Sequence, residues 1–269
     1  MNDPVQPQAR SPFEIALRPL GPGDPLRWIV SGWHDFTRAP AIGLFYGACF
    51  VGMGWALQKV FETAPAYVLA LAAGFLLVGP FMCLGLYRVS ERLERGERPD
   101  LASSLLAWQR KTDTLAIFGL VLLVLELVWA RASLVVFALS FDSMPDFKGS
   151  LLNLLTPDNL NFIVAYVAVG GVFAALVFAV SVVSIPMILD RQTDAITAGL
   201  LSLRVVVTQP GVMLLWGALI TALVAIAMLP WFAGLLVIGP VLGHASWHAY
   251  RGAVADPTPR DPKPLTQKS

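Results

Sequence analysis

The chain has 269 residues, 56% of them hydrophobic and 14% charged, with a net charge of +1 and a mean hydropathy of +0.67. Soluble domains carry about 25% charged residues, so this balance cannot clothe a water-facing surface and points to a membrane protein. The near-neutral charge excludes a general nucleic-acid footprint. Cys49 and Cys83 both lie inside apolar runs, which excludes a disulfide framework and a CxxC motif.

Residues 1–26 are polar and rich in proline and are expected to form a disordered tail without a cleaved secretory signal. A helix needs about 20 apolar residues to cross the hydrocarbon core. Six stretches meet this, roughly 41–61, 64–87, 114–141, 161–189, 211–229 and 230–250. They fall into three units.

The first unit covers about 27–95. It opens with an amphipathic stretch in which Ile29, Trp33 and Phe36 follow i, i+4, i+7 spacing, as suits a helix lying in the membrane interface. The next span carries the pair Tyr46-Gly47, and the returning span carries Gly79-Pro80 and ends in Tyr87-Arg88.

The second unit, about 100–191, repeats this plan. Its stripe is Leu101, Leu105 and Trp108, its aromatic–glycine pair is Phe118-Gly119, and its returning span carries Pro186 and ends in Asp190-Arg191. Glu126 and Arg131 lie within its first span. A charge at that depth costs about 2.5–3.5 kcal/mol on insertion scales and should have a partner or water. Five residues is the wrong spacing for a pair on one face.

The third unit, about 195–251, has the stripe Ile196, Leu200 and Leu203 and the pair Trp216-Gly217. Pro230 is expected in a tight turn between its two spans. The last span carries Gly239-Pro240 and ends in "GHASWHAYR", which places His244 and His248 one helical turn apart. Residues 252–269 are expected to be a second disordered tail. The plan predicts an all-α protein of six transmembrane helices. They form three parallel two-helix repeats, each preceded by a cytoplasmic interfacial helix.

With both termini cytoplasmic, every lysine and arginine except Lys59, Lys148 and Arg131 falls in an inner segment. That asymmetry sets the orientation, with both ends inside. Tyr87, Arg88, Asp190, Arg191, Trp247, Tyr250 and Arg251 then read as interface anchors. Proline at 80, 186 and 240 frees helix carbonyls that must face protein or a wet cavity.

Three chemical readings remain. Few intramembrane charges and the absence of any catalytic constellation favour a non-enzymatic accessory or scaffold protein without a cofactor. A transporter or channel would use Glu126, Arg131 and the kinks at Pro80, Pro186 and Pro240. A metal ion or haem would need His34 to join His244 and His248. No HExxH, CxxCH, GxSxG or phosphate-binding loop is present. The expected partners are the lipid bilayer and a membrane protein or second copy, not nucleic acid.

"GWHDFTRAPAIGLFYGACFVGMGW", "AAGFLLVGPFMCLGLYRVSERLERGE", "VFAVSVVSIPMILDRQTDAITA" and "GPVLGHASWHAYR" together resemble a family of predicted bacterial integral membrane proteins, a domain of unknown function. The resemblance implies an inner-membrane protein and carries no activity, cofactor or site residue with it. Three two-span repeats are also similar in architecture to mitochondrial carriers, whose proline–acidic–basic motif is absent here.

Overall fold

The computed structural model describes residues 13–63, 68–140, 159–191 and 193–255, without the side chains of 68–77 and Arg110. Residues 1–12 and 256–269 of the expected tails lie outside the described residues, as does the loop with Lys148. The first helices are α1 (Asp24–Arg38), α2 (Pro40–Thr63) and α3 (Val68–Glu94). Next come α4 (Leu101–Leu105), a 3-10 turn (Ala107–Lys111), α5 (Thr112–Ser140), α6 (Leu160–Ser181) and α7 (Ser184–Asp190). The chain finishes with α8 (Ala195–Thr208), α9 (Pro210–Met228) and α10 (Leu235–Ala253).

Local chemistry sets the boundaries. The Asp100 carboxylate accepts from the Ser103 N–H (2.8 Å) and starts α4, and Asp194 caps α8 through the Thr197 N–H (2.9 Å). Pro40 and Pro210 each open a long helix. The residue before a proline avoids the helical region, so Ala39 (φ −132°, ψ 54°) and Gln209 (φ −133°, ψ 53°) break the chain in the same way.

Among the described residues, four helices are long and apolar enough to cross a membrane: Pro40–Thr63, Thr112–Ser140, Leu160–Asp190 and Pro210–Met228. The stretches expected as second and sixth spans form α3 and α10, which are not among these four; the C-terminal half of α3 carries Arg88, Glu91 and Arg92, and that of α10 carries His244, His248 and Arg251. Pro230 does lie in a turn. Trp231 (φ 53°) and Phe232 (φ 64°) take left-handed backbone there, held by the Trp55 Nε1–H donating to the Trp231 carbonyl (2.9 Å).

The core sits at one end, where α3, α7 and α10 finish beside α1, α4 and α8. We call this the capped end. Tyr46, Leu86, Phe118, Met187, Trp216 and Trp247 are buried there, whereas α6 buries none of its residues. The aromatic–glycine pairs serve this packing unequally. Tyr46, Phe118 and Trp216 are all buried. A Cβ on Gly47 would lie 2.0 Å from the Leu236 carbonyl, on Gly119 3.0 Å from Phe81, and on Gly217 3.6 Å from Phe178. Only the first of these is a backbone-on-backbone approach.

One expectation needs correction. Residues 13–26 do not belong to a disordered tail. Leu17 bridges Val254, the Arg18 N–H donates to Ala253 (2.9 Å) and the Ala255 N–H to Ala16 (3.0 Å). Strand-type pairing holds this segment although its composition is polar. The amphipathic stripes face out of the bundle, in keeping with their reading as interfacial faces. Trp33, Leu101, Leu105, Trp108, Ile196 and Leu200 are exposed, and only Phe36 is buried. The opposite faces pack inward, through Trp28, Gly32 and Asp35 on α1, Ser104 on α4, and Ala198, Leu201 and Val205 on α8. Apolar periodicity locates a greasy face; it does not say whether protein or lipid covers it.

Candidate functional site

The capped end holds a connected set of polar side chains, assembled from two facing helical ladders. On α3, Ser90 and Glu94 are one turn apart, and on α10 His244 and His248 are one turn apart. Asp35 on α1 enters between them because Gly32, one turn earlier, lets the helices touch. A Cβ there would lie 2.5 Å from the Val241 carbonyl and 2.7 Å from the Ala245 nitrogen.

Asp35 Oδ2 accepts from the Ser90 hydroxyl at 2.7 Å and from His248 Nε2 at 2.8 Å. Ser90 Oγ also lies 2.8 Å from His244 Nδ1. Since the serine proton goes to the carboxylate, Nδ1 must carry the imidazole proton; this tautomer follows from the network. Asp35, Ser90 and His244 are buried. Burial pushes the Asp35 carboxyl up. The hydrogen bonds from His248 and Ser90, with the fields of His248 and His244, outweigh it and hold the group below the ordinary carboxylate value.

The network continues outward. His248 Nδ1 is 3.9 Å from Glu94, and Glu94 pairs with Arg251 (3.3 Å). Arg251 reaches Asp190 (3.7 Å). Tyr250 donates to Asp190 (2.5 Å) and accepts from Arg191 Nε (2.8 Å). Arg191 also donates to the Ala255 carbonyl (2.8 Å). The chain of contacts therefore joins α1, α3, α7 and α10.

This places most of the expected anchors inside the protein. Tyr87, Trp247 and Tyr250 are buried, and Asp190, Arg191 and Arg251 join the network. Arg88 pairs with Glu91 (2.5 Å). Facing helices offered these groups a closer set of partners than lipid headgroups would. Ser90 and Glu94 were not singled out in the sequence, although their one-turn spacing matches that of the histidines.

His34 itself is exposed and does not join the pair. The hydrogen bonds of His244 and His248 go to Ser90 and Asp35 instead. Among the described residues no group of three His, Cys, Asp or Glu side chains could hold a metal ion. Ser90, His244 and Asp35 include the residue types of a hydrolytic triad but not its arrangement. The hydroxyl donates to the carboxylate rather than to the imidazole, and Ser90 is fully buried. Ser246 donates to the Leu242 carbonyl (2.8 Å).

The kinks are packed by protein. At the break between α6 and α7, just before Pro186, the Val183 N–H donates to Ser202 Oγ (3.2 Å) and Ser184 donates to the Ala198 carbonyl (3.0 Å). Pro186 and Pro240 are buried and Pro80 half-buried. The Leu236 carbonyl, four residues before Pro240, abuts Gly47. A cleft of about 440 Å³ lies between α2, α3, α4 and α5; Phe81, Met82, Leu105 and Leu115 line it, and Tyr46 and Ser104 bond to each other at its wall (2.7 Å). Glu126 is half-buried at the midpoint of α5 and Arg131 is exposed. Neither forms a hydrogen bond or ion pair with a described residue.

With long apolar helices and a paired polar end on view, comparison with known proteins is informative. Residues 68–190 match a family described as predicted integral membrane protein (DUF2189). The chain is an integral membrane protein. The DUF2189 match runs from α3 through α7, so it includes Ser90, Glu94 and Asp190 and stops short of α1 and of "GHASWHAYR". No curated protein and no solved structure matches the chain.

Proposed function

We propose that this chain is a six-span structural component of a bacterial inner membrane, a non-enzymatic accessory or scaffold protein with both ends in the cytoplasm. The observation that carries the reading is the polar network. Apart from His244 Nε2, which is buried without a hydrogen-bond partner, its serine, histidines, carboxylates and arginines bond mainly to one another, and what they hold together is the ends of α1, α3, α7 and α10. Preorganised sites for chemistry keep polar groups aimed at an open pocket; here none of the network's side chains lines the cleft between α2, α3, α4 and α5.

Six spans are supported by the return of α3 and α10 to the capped end. At 1.5 Å per residue the 27 residues of α3 extend about 40 Å, enough for hydrocarbon about 30 Å thick, and the 19 residues of α10 extend about 28 Å, just short of it. A threefold repeat is supported by the recurring order of amphipathic helix, apolar helix and returning helix. The matched backbone at Ala39 and Gln209 supports it for the first and third units.

A path for protons or solutes through the kinks and Glu126 is the competing reading. The direct hydrogen bonds at Val183 and Ser184, and Gly47 seated on the Leu236 carbonyl, count against it. Purified protein in lipid vesicles should pass protons and small ions no faster than protein-free vesicles. Flux that depends on Glu126 and is lost in Glu126→Gln would overturn the structural role.

A further inference from the structure

Helix α5 carries a seven-residue leucine repeat that its own bundle leaves uncovered. Leu120, Leu127 and Leu134 recur every seven residues and are 60%, 58% and 57% exposed. If they occupy position a of a heptad, Leu123, Ala130 and Phe137 occupy position d. The bundle packs mainly on the other side of the helix, where Leu115 and Leu122 fall at c and Phe118 at f, all buried. It reaches the edge of the seam at its far end, where Ser133 at g is buried and Phe137 at d meets Phe162.

In this register Glu126 falls at g and Arg131 at e. These two positions flank an a/d seam and exchange ion pairs between helices. In a parallel pair, a g residue meets the e residue of the partner's next heptad, which lies five residues further on. Five is the spacing from Glu126 to Arg131. Within one helix the same spacing turns them onto different faces, and neither has a partner among the described residues. Glu126 is half-buried and Arg131 exposed, as expected of seam edges nearer to and farther from the bundle. Side chains lean toward the helix N-terminus, which carries Arg131 back toward the level of Glu126. Lipid accounts for exposed leucines. It does not account for a carboxyl and a guanidinium left single at mid-span.

We propose that α5 docks a second copy of this chain in a parallel two-fold pair, in which Glu126 of each copy meets Arg131 of the other. The proposal rests on α5 crossing the membrane and not on the structural role, so either can fail alone.

The test is a cysteine scan of the full chain in native membranes, with Cys49 and Cys83 replaced by alanine. Oxidative cross-linking should peak at Leu120→Cys, Leu127→Cys and Leu134→Cys and fall at Val121→Cys, Val128→Cys and Val135→Cys. Equal yields around the helix, or no dimer, would overturn the proposal. These variants leave both charges in place, so the scan remains decisive if a charge variant fails to insert. In energy-transfer measurements on vesicles, Glu126→Gln and Arg131→Gln should each weaken the dimer about three- to tenfold. The exchange Glu126→Arg with Arg131→Glu should restore it. Failure of that exchange in correctly inserted protein would overturn the pairing.

Discussion

Asp35 Oδ2 accepts from Ser90 on α3 and from His248 on α10, so one oxygen joins three helices. Truncating it strands a buried hydroxyl and an imidazole N–H, each worth about 1–3 kcal/mol when left unsatisfied. Asp35→Ala should therefore lower unfolding stability by about 2–3 kcal/mol in detergent-solubilised protein. A loss within about 0.5 kcal/mol, the range of ordinary surface changes, would show that the network does not hold the end together. The carboxyl titrates at 3.8 when free and lower when folded. Its contribution is therefore complete above pH 3.8 and disappears as pH falls through the folded value. Melting temperature should drop more between about pH 5 and pH 3 in the wild type than in Asp35→Asn. Equal drops would remove Asp35 from the pH response. Gly47 and Gly217 offer a second contrast at this scale. Gly47→Ala forces a methyl into the Leu236 carbonyl and should cost about 1–3 kcal/mol, whereas Gly217→Ala meets ordinary contact and should be neutral or slightly stabilising.

The amphipathic helices show what a repeating pattern can and cannot reveal. The 3.6-residue period marked α1 and α8 in the sequence, whereas the second stripe is divided between the five-residue α4 and the 3-10 turn that holds Trp108; the prolines at 40 and 210 marked where α2 and α9 begin. The covered faces were less visible. On α1 the inward face is Trp28, Gly32 and Asp35, and a glycine and a carboxylate give no apolar signal. The histidine pair was visible as a one-turn ladder, but its partners come from helices more than 150 residues away in the chain. No local pattern encodes that pairing. The tryptophans can report the faces directly. Trp33 and Trp108 are about half exposed, while Trp28, Trp216 and Trp247 are buried. In single-tryptophan variants, brominated lipid should quench the first two strongly and the last three weakly. Strong quenching of Trp247 would place the end of α10 against lipid and contradict its buried position.

At the scale of the whole molecule, the polar network joins α1, α3, α7 and α10 at one end. Its rim is weaker than its centre. Glu94 and Arg251 are each about one-third exposed, and exposed pairs contribute about 0–1 kcal/mol. A double-mutant cycle with Glu94→Ala and Arg251→Ala should thus give a coupling under about 1 kcal/mol, well below the loss in Asp35→Ala. The organisation of the membrane domain is tested most directly by the sidedness of single cysteines in oriented membranes, after replacement of Cys49 and Cys83. Arg27→Cys and Glu97→Cys should react only with reagent on the cytoplasmic side, and Lys59→Cys and Ala233→Cys only with reagent on the opposite side. Labelling of Glu97→Cys and Lys59→Cys from the same side would mean that α3 does not cross, and would contradict the six-span arrangement.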